Sequence, residues 1–194
     1  MSKASIRNYI ISIRKTLNKC TKSTSEKIVL QKLNHVVSKT NSKVGVYLST
    51  THEFSTRDII SNLLLQNHEI YFPVINPYHK RSMFFQKRLS NTKYCANKYN
   101  IKEPIFNPID VVSPWELDYV IVPIIAFNLN LKRLGMGGGY YDYTFRYIKG
   151  ISNPKLIGIA FDFQYRNEIP VDSWDLQLDY IITPSKLYEK YANT

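Results

Sequence analysis

The stretch Arg133–Asp142, RLGMGGGYYD, holds four of the chain's seven glycines within five positions, at 135, 137, 138 and 139. Glycine admits positive φ and close approach of backbone to a ligand, and it costs folding entropy. A run of such residues lets successive amides face one anion. Lys132 and Arg133 place positive charge directly before it, and two tyrosines and Asp142 follow. The chemistry that suits this set is binding of a nucleotide or phosphate. The pattern is not a P-loop, because no Gly-Lys-Ser/Thr follows, and Tyr140 stands where a dinucleotide fingerprint needs its third glycine. A flexible turn is the plain alternative.

Other groups with chemical capacity are scattered. Lys3 and Arg7 lie four apart and share a helix face, which alone reads as solvated basic surface. Read alone, Glu53 is an acid ahead of a helix, Leu48 a strand residue, Asp142 a first-turn acid and Asp175 a loop acid. Tyr140 and Tyr141 read as one ring packed inward and one, Tyr140, free to lie against a planar ligand. His35, His52, His68 and His79 show no metal-ligand spacing. Cys20 and Cys95 form neither a CxxC pair nor a disulfide framework.

The elements that must carry these groups follow from hydrophobic period. SIRNYIISIRKTLN, with Ile6, Ile10, Ile13 and Leu17 at helical spacing, is an amphipathic helix whose basic residues are Lys3, Arg7 and Arg14. A second helix opens at Ser23 in a capping box with Glu26 and carries Ile28, Val29, Leu33 and Val36. KVGVYLS is a strand, STRDIISNLLLQN a helix, and EIYFPVI and SMFFQKR are strands. Asp118–Phe127 is a continuous apolar run of the kind buried on both faces of a sheet. YYDYTFRYI reads as a helix, KLIGIAFDF and DYIITP as strands. Strands alternating with helices give an α/β fold with an open, mostly parallel sheet and helices on both faces. The whole chain, 1–194, reads as one domain with an N-terminal helical segment, about residues 3–40, packed on the α/β core.

Composition bounds the function classes. A formal charge of +11 attracts polyanions, whether nucleotides, polyglutamates or nucleic acid, but does not choose among them. Lys outnumbers Arg 18 to 8, a bias that base composition of a gene also produces. Arg and Lys interrupt the apolar positions of the first helix, so it reads as neither signal peptide nor membrane span, and a cytoplasmic location is expected.

Five ordered blocks then carry a resemblance. Val122–Asp142, VPIIAFNLNLKRLGMGGGYYD, resembles the signature of the 5-formyltetrahydrofolate cyclo-ligases, or methenyltetrahydrofolate synthetases. Lys3 and Arg7 match that family's N-terminal Lys-x-x-x-Arg, and YLSTTHEFST resembles its folate-contact segment. YFPVINPYHKRSMFF and IPVDSWDLQLDYIITP resemble two further segments. The resemblance implies a fold of the sugar-phosphate isomerase/CoA transferase-like type. It implies ATP- and Mg²⁺-dependent closure of 5-formyltetrahydrofolate to 5,10-methenyltetrahydrofolate. It assigns Lys3, Arg7, Arg133, Leu134, Gly135, Met136, Gly137, Gly138, Gly139, Tyr140 and Tyr141 to ATP, with Arg133 at the loop mouth outside the core. Leu48, Glu53, Met136 and Tyr140 fall to folate, with or without a polyglutamate tail. Asp142 and Asp175 become Mg²⁺ ligands, and Arg133 and Tyr140 take catalytic parts.

The chain differs from the family pattern at Asn128, where Asp is common, and at Leu131, in place of a turn glycine. It differs again at Met136, and at Trp174, where His is common. A monomer is expected. The competing reading, a nucleic-acid-binding protein on the same fold, needs aromatic and basic residues interleaved on one surface, whereas the aromatics here cluster at the glycine loop. A sugar-phosphate isomerase or CoA transferase ranks last, for want of an acid–base pair or a glutamyl nucleophile.

Overall fold

In the computed structural model, which describes residues 1–147 and 154–190, two helices come first, α1 (Lys3–Thr16) and α2 (Lys19–Val36). They are followed by β1 (Lys43–Val46), α3 (Arg57–Leu65), β2 (Glu69–Ile75) and β3 (Met83–Lys87). Three short strands come next, β4 (Tyr94–Ala96), β5 (Lys102–Pro104) and β6 (Val111–Val112). Then come β7 (Tyr119–Pro123), β8 (Ala126–Phe127), β9 (Arg133–Leu134) and α4 (Tyr140–Thr144). The last strands are β10 (Lys155–Ile159), β11 (Tyr180–Ile182) and β12 (Leu187–Glu189). Eight strands form one sheet in the order β12–β11–β10–β7–β1–β2–β3–β6. The centre, from β11 to β2, is parallel, and antiparallel strands close both edges.

The apolar run of β7 is continuous because the strand is covered twice. Tyr119 and Ile121 face one core with Val29 and Leu33 of α2 and Ile59 and Leu63 of α3. Val120 and Val122 face the other with Phe145, beyond α4, and Leu131, Leu176 and Leu178. Side chains alternate across a strand, so a strand buried on both faces needs an apolar residue at every position. Each such burial stabilises by about 1.5–3 kcal/mol. Helix α1 lies apart, setting Ile6 and Ile10 against Ile125, Ala126, Leu134 and Ile169.

Several boundaries differ from the sequence reading. The third buried position of α1 is Arg14, while Ile13 and Leu17 are only half-buried. Helix α2 starts four residues before Ser23, because the Asn18 side chain accepts the Thr21 amide at 2.8 Å and caps it there. The run Asp118–Phe127 is two strands. β7 stops at Pro123, which has no N–H to extend a ladder, and the chain turns to pair β8 with β9. The helix read over YYDYTFRYI ends at Thr144, because Phe145 drops into the core; Ile148 lies outside the described residues. β4, β5, β6 and β12, of two or three residues each, show too little alternation to be read from sequence.

One buried histidine ties the fold to pH. His68 Nδ1 accepts the Ser42 amide at 3.1 Å just ahead of β1 and β2, which places its proton on Nε2. Burial holds its imidazole below the usual value of 6.5. The unfolded chain therefore takes this proton first as the pH falls. The stability is fully present above pH 6.5 and is lost as the pH drops toward the lowered folded value. Thermal melts should show the melting temperature falling through that window. His68→Asn, which keeps an acceptor near Nδ1 but cannot titrate, should flatten the fall; an unchanged slope would acquit His68.

Candidate active site

The parallel strands end on a cavity of about 880 Å³. Tyr47 and Leu48 after β1, Pro73 and Ile75 of β2, and Pro123, Ile124 and Ile125 at the end of β7 form its floor. Ligands of open α/β sheets sit at these strand ends, where neighbouring connections diverge. The loop after β1 is closed by its own side chains. Tyr47 Oη donates to the Phe54 carbonyl at 2.9 Å, Thr56 Oγ1 donates to the Tyr47 carbonyl at 2.7 Å, and Phe54 packs on Phe161. That closure turns Leu48 and Glu53 to the cavity wall. Glu53 Oε2 accepts the Thr50 amide at 2.8 Å.

The glycine loop forms the facing wall, reached through the β8–β9 hairpin. Asn128 makes that hairpin's turn: its Oδ1 accepts the amides of Asn130 and Lys132 at 3.1 and 3.2 Å, bonds an aspartate accepts equally. Leu131 stands at φ 57°, a left-handed position that costs a leucine about 1–2 kcal/mol. Its side chain is buried in the core, and that burial offsets the strain. Gly137 has φ 102°, and a Cβ there would lie 3.4 Å from the Arg7 guanidinium. At Gly135 a Cβ would come within 2.5 Å of Arg133 Nη1. The positive φ reserves position 137 for glycine, while at 135 a side chain would crowd the end of the Arg133 side chain. Arg7 Nε donates to the Gly135 carbonyl at 2.8 Å.

Every site residue named from the sequence lines this one cavity: Lys3, Arg7, Leu48, Glu53, Arg133 through Asp142, and Asp175. Two readings need correction, those of Arg133 and Lys3. Arg133 is not outside the core: only 5 % of it is exposed, its Nη2 donates to Asp142 Oδ1 at 3.2 Å and its guanidinium lies over Tyr141. It sits on β9, which packs under the loop, so the loop mouth is Arg7's place. Helix α4 has five residues, so the anion attraction rests on side-chain cations and loop amides and not on a helix dipole. Lys3 is not a free cation, since Asp172 and Asp175 accept from its Nζ at 2.7 and 3.0 Å. Partial burial opposes its charge, but these bonds prevail and hold its ammonium above the usual range.

Tyr141 and Tyr140 divide as the sequence suggests. Burial pushes the Tyr141 phenol well up, and its hydroxyl is buried without a partner among the described residues. Tyr140 keeps its ring in the cavity, and its hydroxyl meets that of Tyr99 at 3.1 Å. Tyr99 comes from the β4–β5 hairpin, which sequence reading missed along with Asn97 and Ile101. The signal is faint: Asn97 Oδ1 accepts the amides of Tyr99 and Ile101, so the asparagines of NKYN mark the turn. Asp172 was also missed, although it lies in the quoted segment IPVDSWDLQLDYIITP, three residues before Asp175. Met136 and Trp174, two departures from the family pattern, are largely exposed at the rim.

Two carboxylates could hold a cation. Asp142 Oδ1 accepts from Arg133 and from the Leu176 amide, one residue past Asp175, so the two acids share a wall. Asp142 Oδ2 and Asp175 Oδ1 have no protein donor among the described residues. No group of three or more His, Cys, Asp or Glu side chains gathers around one point among them. Carboxylates with spare oxygens beside a glycine loop are a donor set that suits Mg²⁺, which commonly takes its remaining ligands from water and nucleotide.

Fold and cavity thus define an α/β protein with a cavity at the carboxyl ends of parallel strands, bounded by Leu48 and Glu53 on one side and by the glycine loop with Lys3, Arg7 and Arg133 on the other. Residues 1–184 match the model of the 5-formyltetrahydrofolate cyclo-ligase family, and the chain belongs to that family. It is 33 % identical over 176 residues to the 5-formyltetrahydrofolate cyclo-ligase of Haemophilus influenzae, covering 89 % of this chain and 92 % of the relative. It is 34 % identical over 146 residues to that of Escherichia coli, covering 75 % and 80 %. The solved 5,10-methenyltetrahydrofolate synthetase of Aquifex aeolicus has the same fold, at a TM-score of 0.81 and 24 % identity, over 97 % of this chain and 93 % of that one.

Proposed function

We propose that this protein catalyses the ATP-dependent closure of 5-formyltetrahydrofolate to 5,10-methenyltetrahydrofolate, releasing ADP and phosphate. Family membership supports the reaction. The observation that carries it is one cavity bounded by Leu48 and Glu53 on one wall and by the glycine loop with Lys3, Arg7 and Arg133 on the other. A formyl oxygen is a poor leaving group. It attacks the γ-phosphorus, and the bond to ADP breaks with its electron pair going to ADP. The carbon that bears the phosphorylated oxygen is then open to N10, whose lone pair forms the new C–N bond as its proton departs. The C–O bond breaks last, and phosphate leaves with the pair.

Each wall does part of this. Arg7 and Arg133 offer planar donors to the moving phosphoryl oxygens, and the buried position of Arg133 makes its charge count for more than in water. Glu53 accepts from the pterin's N–H donors, and the Tyr140 ring packs on the pterin face. Tyr99 steadies the Tyr140 hydroxyl. Mg²⁺ would be held by Asp142 and Asp175 and would neutralise charge on the phosphoryl oxygens when bound. The substrate carries a polyglutamate tail or none, and the protein acts as a cytoplasmic monomer. No helix among the described residues is long and apolar enough to cross a membrane.

Absorbance of the methenyl product tests this directly. Formation should need ATP and Mg²⁺ together, and turnover without ATP would overturn phosphoryl activation of the formyl oxygen.

A further inference from the structure

The cavity carries its charge unevenly. Beside the glycine loop, the cations Lys3, Arg7 and Arg133 share the lining with the carboxylates of Asp142, Asp172 and Asp175. Lys3 and Arg133 are paired with them. On the side of β2 and β3 the lining holds Arg81, Lys102 and Arg146, all exposed, with Lys98 at the rim. None of these four pairs with a carboxylate among the described residues. Glu103 is the acid of that hairpin, and its carboxylate accepts from Asn97 at 3.0 Å. Unpaired charge of one sign around a cleft attracts anions.

Aromatic contacts fix where these cations stand. Tyr140 and Tyr143 lie three apart and share a face of α4. Tyr99, in the β4–β5 turn, sets its hydroxyl 3.1 Å from that of Tyr140. Lys98 Nζ lies 5.2 Å from the Tyr99 ring and 6.0 Å from the Tyr140 ring. His79 Nε2 meets the Tyr143 hydroxyl at 3.2 Å, which draws the 76–82 turn, and Arg81 with it, toward the same face. The Arg146 guanidinium lies over the Tyr143 ring at 3.6 Å. Arg81 itself stands at φ 68°, a left-handed position that glycine or asparagine takes with less strain. A lysine-rich composition accounts for exposed lysines, but not for a strained arginine in a cavity lining.

We propose that this rim is a subsite for the carboxylates of the folate's glutamate tail, with Arg81, Lys98 and Lys102 setting specificity. The proposed reaction has no phosphate to place here. With the pterin between Glu53 and the Tyr140 ring, the tail leaves past the hydroxyl edge of that ring, where Tyr99 and Lys98 stand. One glutamate brings two carboxylates and each further γ-linked residue adds one, so four cations suit a triglutamate. The proposal rests on the folate reading and adds to it a preference for polyglutamate over monoglutamate.

Calorimetric titration with the mono- and triglutamate forms of 5-formyltetrahydrofolate, without ATP, tests this. The unaltered protein should bind the triglutamate about tenfold tighter at low salt, the gain expected of several exposed ion pairs together. Added salt should remove most of that difference. Arg81→Asn combined with Lys98→Gln and Lys102→Gln should abolish the preference, with monoglutamate affinity changed only slightly and ATP affinity unchanged. Asparagine suits the left-handed position, so the melting temperature of this variant should not fall. Equal affinity of the unaltered protein for both folates would overturn the proposal while folate binding stood. So would a preference that survives in the triple variant, or equal loss of ATP and folate binding there. An unaltered protein that bound neither folate would remove the folate reading and this subsite together.

Discussion

Arg133→Met should lower kcat/KM for cyclisation by about 10²–10³, the usual loss when one preorganised donor to developing charge is removed. The expectation follows from where β9 puts the residue. Its guanidinium is enclosed under the glycine loop, held by Asp142 and by the face of Tyr141, with Nη1 crowded against Gly135 and Nε left without a partner. A donor so confined loses little freedom when phosphate arrives, and water screens it little. Stability should change far less than activity, since methionine fills the same space and Asp142, with its side chain 23 % exposed, can turn to water. Arg133→Lys should not rescue, because an ammonium cannot reproduce the planar fork. Steady-state assays following methenyl absorbance decide it, and kinetics near those of the unaltered protein would remove Arg133 from the mechanism.

Asp142→Ala should do the reverse damage to the same pair. Removing the carboxylate strands a buried guanidinium and frees the Leu176 amide that Asp142 also accepts. Breaking a buried ion pair from one side costs about 3–5 kcal/mol, and the partial exposure of Asp142 puts this case near 3 kcal/mol. In a chain of this length that is a fall of about 6–12 °C in melting temperature. Asp142→Asn keeps an oxygen for both donors, so it should melt much closer to the unaltered protein while needing more Mg²⁺ for turnover. Adding Arg133→Met to Asp142→Ala should restore part of the lost stability, because no charge is then left unpaired. A melting temperature of Asp142→Ala equal to that of the unaltered protein would show that the pair does not hold the loop.

The same residues show how far sequence alone reaches. The strands of the central sheet, α1, α3 and the glycine loop are legible because each follows from a local rule. Alternating or continuous apolar runs specify strands, apolar residues four apart specify a helix face, and a glycine cluster specifies backbone that side chains would obstruct. The site residues named by their motifs all line the cavity, because the topology brings them together there. Their environments were not legible. Nothing local distinguishes Arg14, buried, from Lys15 beside it, exposed. Lys3 meets Asp172 and Asp175 from the opposite end of the chain, and Arg133 becomes interior only when β8 and β9 pair. The β4–β5 hairpin brings Tyr99 to Tyr140 across forty-one positions. Burial and charge pairing depend on which distant segments pack together, and a sequence displays such a neighbour only where it repeats with a period; a single arginine or aspartate has none.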